Sequence, residues 1–232
     1  LFNTQAGGTA CIAIAGPSLT KTIERLRSER ERAILISVDG ALGPLLDTGL
    51  IPDIVVSVDE NRETIRKYFE RDLSACVHST LVYTPLVHRD ALTLWPGRRL
   101  TTYTFESIYQ ELRRDHSKSE LYVAGSVTHP AVDLAVKMGV VRIVLFGADF
   151  GFPGGAIHAN QEAPVAFYAN AARAGAMTRD GHGEMISTLN SFNGYRLGLE
   201  HYIAHHPRVR FFNSSRDGAR IQGASYLEGD EG

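Results

Sequence analysis

Cysteine is nearly absent. The 232-residue chain has two, Cys11 and Cys76. Two such residues build neither a disulfide framework nor a cysteine zinc site. Cys11, inside the apolar run ACIAIA, reads as a small buried thiol. No apolar run approaches the ~18 residues of a membrane span. No signal-peptide pattern opens the chain, so the expected compartment is the cytoplasm. The first residue is Leu1 rather than Met, as in a fragment or a processed chain. An excess of one charge is missing too: 24 basic and 26 acidic residues leave a formal charge of -2. Proteins that grip phosphate backbones or anionic lipid carry a basic excess or a basic block. Nucleic acid is therefore not an expected partner. The sequence also lacks a Walker A loop, a GxGxxG fingerprint, HExxH or HxH zinc spacing and a GxSxG elbow.

What is present looks globular. Hydrophobic residues make up 44% and charged residues 22%, close to ordinary domains. A chain of this size can bury about 70% of its surface. Short apolar, β-branched runs alternate with amphipathic stretches. Strands are expected at Ala10–Ala15, Ala33–Val38, Asp53–Val58, Thr80–Thr84, Leu100–Thr104, Leu121–Ala124, Val140–Phe146 and Val209–Phe212. Several are apolar on both faces, as parallel strands covered by helices are. Leu19, Ile23 and Leu26 fall on one helical face, with Ser18 placed to cap it. Ala131, Leu134, Ala135 and Met138 form a second stripe, ended by Gly139, and Leu189–His205 a longer helix stopped before Pro207. The alternation predicts one α/β domain over residues 1–232 with a mostly parallel open sheet. Residues 147–183, rich in Gly, Ala and Asn, read as an active-site loop and lid.

Open parallel sheets bind ligands beyond the carboxyl ends of their strands. The residues that follow the expected strands are therefore the candidates. Gly16-Pro17-Ser18-Leu19 joins a buried strand to a helix start. Gly16 would let a ligand approach the backbone, and free N–H groups with the helix dipole would hold a phosphate. On this reading Gly16→Val abolishes nucleotide binding and leaves the fold intact. Gly125-Ser126 repeats the pattern. Asp39, Asp59 and Asp149 are strand-end carboxylates suited to ribose hydroxyls, Mg²⁺ or base chemistry. Asp59 could also simply cap the helix near Arg62. His158, in a Gly-rich loop past Asp149, is the candidate proton-transfer group. His205-His206 complements a helix C-terminus.

The runs GPSLTKTIERL, ILISVDGALGPLLDTGLIPDIVVSVDEN, VAGSVTHPAVDLAVKMGVVRIVLFGADFGFPGGAIHAN and NSSRDGARIQGASYL, in this order, resemble the MptE-like domain family. The resemblance spans about Ala10 to Leu227. That family includes bacterial motility accessory factor flagellin glycosyltransferases and archaeal 6-hydroxymethylpterin diphosphokinases. It implies a Rossmann-like sheet similar to that of CMP-sialic-acid sialyltransferases. It also implies nucleotide contacts from Gly16, Pro17, Ser18, Leu19, Asp59, Gly125, Ser126 and Asn213, to which the strand-end position adds Asp39, and roles for Asp149, His158, Gly218 and Ala219. His158-Ala159-Asn160 stands where the pterin enzymes tend to be richer in Asp, which points to the sugar-transfer branch.

The expected function is therefore transfer of a nonulosonic sugar from a CMP-activated donor to flagellin or a surface glycan. His158 would be the base, Asp149 its partner, and Arg173 or Arg179 a counter-ion for the sugar carboxylate. Two other readings stay open. One is pyrophosphate transfer from ATP to a pterin, with Mg²⁺ on Asp59 and Asp149 and an aromatic clamp from Phe150, Phe152 or Tyr168. The other is a nucleotide-binding module without turnover.

Overall fold

The computed structural model describes residues 1–105, 107–153 and 175–227. Eight strands form one fully parallel sheet in the order β12-β11-β8-β1-β2-β3-β4-β5. They are β1 (Thr9–Ala13), β2 (Ile34–Val38), β3 (Ile54–Ser57), β4 (Thr80–Tyr83), β5 (Arg98–Thr101), β8 (Arg142–Phe146), β11 (Arg210–Asn213) and β12 (Ala224–Tyr226). Two short pairings stand apart. Parallel β6 (Tyr103–Thr104) and β7 (Glu120–Leu121) form one, and antiparallel β9 (Met177–Arg179) and β10 (Met185–Ser187) the other.

Inner strands are apolar throughout because both faces are covered. Ala10, Cys11, Ile12 and Ala13 of β1 are fully buried, as are Ile143, Val144, Leu145 and Phe146 of β8. The covering helices are α1 (Ser18–Lys21), α2 (Ile23–Arg30), α3 (Asp39–Asp47), α4 (Arg62–Phe69), α5 (Arg89–Leu94), α6 (Ile108–Asp115), α7 (Thr128–Lys137) and α8 (Asn190–Ala204). From β1 the chain steps outward through β2, β3, β4 and β5, then returns to lay β8 on the other side of β1. Right-handed crossovers in opposite directions put their helices on opposite faces. The point of reversal lies between β1 and β8.

Three details differ from the sequence reading. Asp39-Gly40 is not a turn but the first turn of α3, which contains Gly43 and Pro44. Burial of Ala41, Leu42 and Leu45 outweighs the poor helix propensity of Gly43 and Pro44. Leu100–Thr104 is not one strand. It breaks at Thr102, whose N–H donates to the Tyr83 carbonyl while Tyr103 and Thr104 turn to β7. Leu121–Ala124 shrinks to Glu120–Leu121, so Gly125 and Ser126 follow a strand outside the main sheet. Within 147–183, β9 is regular, and Asp180 bridges to Ala219.

Candidate active-site cleft

Two adjoining cavities run along the carboxyl edge of the sheet. The first, about 180 Å³, sits at the reversal point and is lined by Gly16, Asp39, Tyr68, Ser126, Asp149, Phe150, Phe192 and Tyr195 among others. The second, about 520 Å³, is lined by Asp39, Asp59, Glu60, Tyr68, Thr84, Thr104, Gly125 and Ser126 among others. They share Asp39, Tyr68, Ser126 and Val127. This is where an open α/β sheet binds ligands.

Asp149, just past β8, is the knot of the first chamber. Its Oδ2 accepts the Ser18 N–H at 2.8 Å, and its carbonyl accepts the Ala219 N–H at 2.6 Å. It is 2% exposed, and Oδ1 has no hydrogen-bond partner among the described residues. Burial pushes its carboxyl up to about 6, against hydrogen bonding from Ser18 and with a further push from Asp217. A Cβ on Gly16 would fall on the Gly147 carbonyl and on the Asp149 carboxylate, and one on Gly218 would stand 2.5 Å from Asp149 Cα. Both glycines are thus packing requirements of this carboxylate.

The GPSL loop therefore needs a different reading. Its N–H groups are not free. Gly16 donates to Gly147 O at 3.0 Å, Ser18 to Asp149, and Leu19 to Gly16 O at 3.1 Å, while Pro17 has none. The helix that it opens, α1, has four residues before Thr22 interrupts it, so little dipole adds up there. Leu19 is wholly buried in the core and lines neither chamber.

Asp39 faces both chambers. Ser57 Oγ donates to its Oδ2 at 2.7 Å and the Gly40 N–H to its Oδ1 at 2.8 Å. Burial pushes it up to about 6, despite those hydrogen bonds. The Tyr68 hydroxyl, itself half buried beside Asp39 and Asp59, is pushed up to about 12, with burial the main cause. Asp59 lines only the second chamber. It does not cap α4. That role falls to Asn61, whose Oδ1 accepts the Thr64 N–H at 3.0 Å, while Asp59 Oδ1 accepts from Asn61 N. Asp59 and Asp149 line different chambers, and no group of three His, Cys, Asp or Glu side chains suited to a metal occurs among the described residues.

Ser126 lies at the start of α7, where its Oγ is 3.3 Å from the donating Thr128 N. Gly125 has φ +87, and the Tyr195 ring lies where its Cβ would be. Asn213 lines neither chamber; its Oδ1 accepts the Ser215 N–H. Arg179 lines a separate cavity. His158, Tyr168 and Arg173 lie outside the described residues. Tyr68, Phe192 and Tyr195 escaped the sequence reading, since on α4 and α8 they read as ordinary helix-face aromatics. Phe150 adds a fourth ring. Its φ of +43 is strained for a side chain of this size, and Thr188 Oγ1 holds its carbonyl at 2.7 Å.

With the cleft described, residues 1–155 match the model of the family "6-hydroxymethylpterin diphosphokinase MptE-like". The chain belongs to this family. A 6-hydroxymethyl-7,8-dihydropterin pyrophosphokinase of Methanothermobacter thermautotrophicus is 32% identical over 138 residues, 59% of this chain. The match takes in 55% of that enzyme, so the chain spans about half its length. A Maf glycosyltransferase of Magnetospirillum magneticum superposes with a TM-score of 0.75 at 20% identity, over 97% of this chain and 34% of that one. At that identity the likeness is one of fold. Among the described residues no helix is long and apolar enough to cross a membrane.

Proposed function

We propose that this MptE-like domain is a glycosyltransferase unit that takes a nonulosonic sugar of the sialic, pseudaminic or legionaminic type from a CMP-activated donor. The observation that carries the reading is the pairing of two unlike chambers. One is small, apolar and walled by Tyr68, Phe150, Phe192 and Tyr195, sized for a single planar ring. The other is larger, with Asp39, Asp59, Glu60 and the Thr84, Thr104 and Ser126 hydroxyls to hydrogen-bond sugar hydroxyls; no cation of the described residues lines it, so the counter-ion of the sugar carboxylate is assigned to Arg173. Between them opens α7, ten residues long. Its longer dipole makes it the proposed seat for the donor phosphate in place of α1; the Thr128 and His129 N–H groups donate to Ser126, the Ala131 N–H to Val127 O, and Pro130 has none, so the attraction is that of the dipole and not of free N–H groups. The acceptor is a protein such as flagellin or a surface glycan.

In this reading the bond from the anomeric carbon to the CMP phosphate oxygen breaks, and CMP leaves with the electron pair. The acceptor oxygen bonds that carbon and loses its proton to a base. Asp149 lines only the chamber given to the nucleobase, so its Oδ1, without a hydrogen-bond partner among the described residues, is placed to accept from that base, and His158 is the proposed proton acceptor. The His158 assignment remains a proposal about a residue outside the described set.

A second reading, pyrophosphate transfer from ATP to a pterin, is favoured by the identity to the archaeal enzyme and by Asp39, Asp59 and Glu60 in the larger chamber. Calorimetric titration with CMP and with ATP plus Mg²⁺ separates the two, followed by a donor-hydrolysis assay with CMP-activated nonulosonic sugars. CMP binding with donor turnover supports sugar transfer. ATP binding with pterin-dependent AMP release replaces it. Binding without turnover of either substrate leaves a nucleotide-binding module.

A further inference from the structure

A second concave site lies along α8, sharing no lining residue with the cleft. It encloses about 390 Å³ and is lined by Thr178, Arg179, Arg196, Glu200, Arg220 and Gln222. Three arginines from three separate segments thus line one hollow, in a chain whose net charge is -2. Glu200 is the sole carboxylate among the lining residues, and it is already committed. Its Oε1 accepts Arg196 Nη1 at 2.5 Å and the Gln222 N–H at 2.8 Å. Arg196 Nε is buried without a hydrogen-bond partner among the described residues. Arg179 donates to the Gly183 carbonyl at 2.8 Å. No carboxylate of the described residues pairs with Arg179 or Arg220. Two positive charges are left uncompensated after the Arg196–Glu200 pair.

We propose that this hollow is a binding site for a tetrahedral dianion, a phosphate or sulfate group, free or carried on a larger molecule. The charge excess of two matches a dianion better than a carboxylate. Guanidinium forks bind such oxygens bidentately. The occupant would tie together β9, α8 and the segment after Ala219. That segment also reaches the cleft residue Asp149, since the Arg220 N–H donates to Arg179 O at 2.8 Å and the neighbouring Ala219 N–H donates to the Asp149 carbonyl at 2.6 Å. The site does not depend on which nucleotide the cleft takes.

The test is calorimetric titration with inorganic phosphate, sulfate and acetate at low ionic strength. It uses wild type, the Arg179→Gln/Arg220→Gln double variant and the cleft variant Tyr195→Leu. The proposal expects phosphate and sulfate to bind wild type and Tyr195→Leu alike, about tenfold or more weaker in the double variant, with acetate far weaker throughout. Circular dichroism of the double variant should match wild type, because both arginines are exposed. Phosphate affinity unchanged in the double variant would overturn the site. So would phosphate binding lost only in Tyr195→Leu, acetate binding as well as phosphate, or no phosphate binding to wild type. A nucleotide titration that fails in the cleft leaves these outcomes untouched, so the two readings fail separately.

Discussion

Asp39 and Asp149 occupy corresponding places, just past β2 and just past β8, and burial pushes both carboxyls up to about 6. Their surroundings differ. Asp39 is satisfied close to home, by the next residue's N–H and by Ser57 on the neighbouring strand. Asp149 is held by Ser18, 131 residues earlier in the chain, and by Ala219 beyond it. One of its oxygens stays without a partner among the described residues. The first arrangement fixes a wall. The second gathers three distant loops around a carboxylate that still has an acceptor to offer. A buried polar atom left unsatisfied costs stability, so it marks where a ligand or proton belongs.

The largest effect expected from disturbing the Asp149 side is on folding itself. Gly16→Val sets a branched side chain against the Gly147 carbonyl and the carboxylate. Neither neighbour can swing away as the end of a flexible side chain could. The cost should reach about 3 kcal/mol, the upper end of overpacking, or prevent folding altogether. Urea denaturation reads it. A variant within about 0.5 kcal/mol of wild type, the ordinary surface range, would mean that the loop packs differently. The expectation that this substitution spares the fold is thereby reversed.

Asp149→Asn should spare the fold and strike nucleotide affinity. The side-chain carbonyl can still accept the Ser18 N–H, while the other position becomes an amide that donates and no longer accepts from the nucleobase. CMP and donor affinity should both fall about tenfold, the loss of a hydrogen bond to a charged group, with turnover at saturating donor within a few fold. Unchanged CMP affinity in calorimetric titration would place the nucleobase away from Asp149.

On the Asp39 side the effect is one of pH. The folded protein holds the Asp39 proton more tightly than the unfolded chain, whose carboxyl titrates near ~3.9. This contribution to stability is therefore complete below about pH 4 and lost as pH rises through about 6. Two units correspond to about 3 kcal/mol. Asp39→Asn should gain on wild type by up to that amount between pH 4 and 7 in parallel denaturation curves. The Ser57 hydroxyl can turn to accept, so the geometry survives. A difference that stays flat with pH would mean that Asp39 is not buried as described.

How much of this was legible follows from what each feature needs. Runs such as ACIAIA and VVRIVLF are apolar on both faces, so the inner strands could be read to within one or two residues. The parallel order follows from their alternation with helices. Helix α3 could not be read, because Gly40, Gly43 and Pro44 argue locally against it and only burial argues for it. Short β9, β10 and β12 carry no period long enough to notice. Among site residues, Gly16, Ser126 and Asp149 stood out because strand ends collect Gly, Ser and Asp. What they do could not be read. That Ser18 N–H serves Asp149 rather than a ligand is a contact across 131 residues. Tyr68, Phe192 and Tyr195 line the cleft only because α4 and α8 present them there.

The smallest effect separates the two chambers by ligand. Tyr195 stands over Gly125 and near Phe192, with ring centroids 6.2 Å apart. Stacking a base on an aromatic ring is worth about 1–3 kcal/mol. Tyr195→Leu keeps the wall apolar but removes the flat face, so CMP affinity should drop about tenfold. The affinity of an intact CMP-activated donor should drop by the same factor, because the nucleotide part is common to both. Asp59→Asn acts in the other chamber, which a sugar would fill and CMP would not reach. It should weaken the donor a few fold and leave CMP unchanged. Calorimetry on the two variants with the two ligands gives four affinities. Equal losses for CMP and donor in Asp59→Asn would place the nucleotide in the larger chamber. An unaltered CMP affinity in Tyr195→Leu would remove the aromatic chamber as the seat of the base.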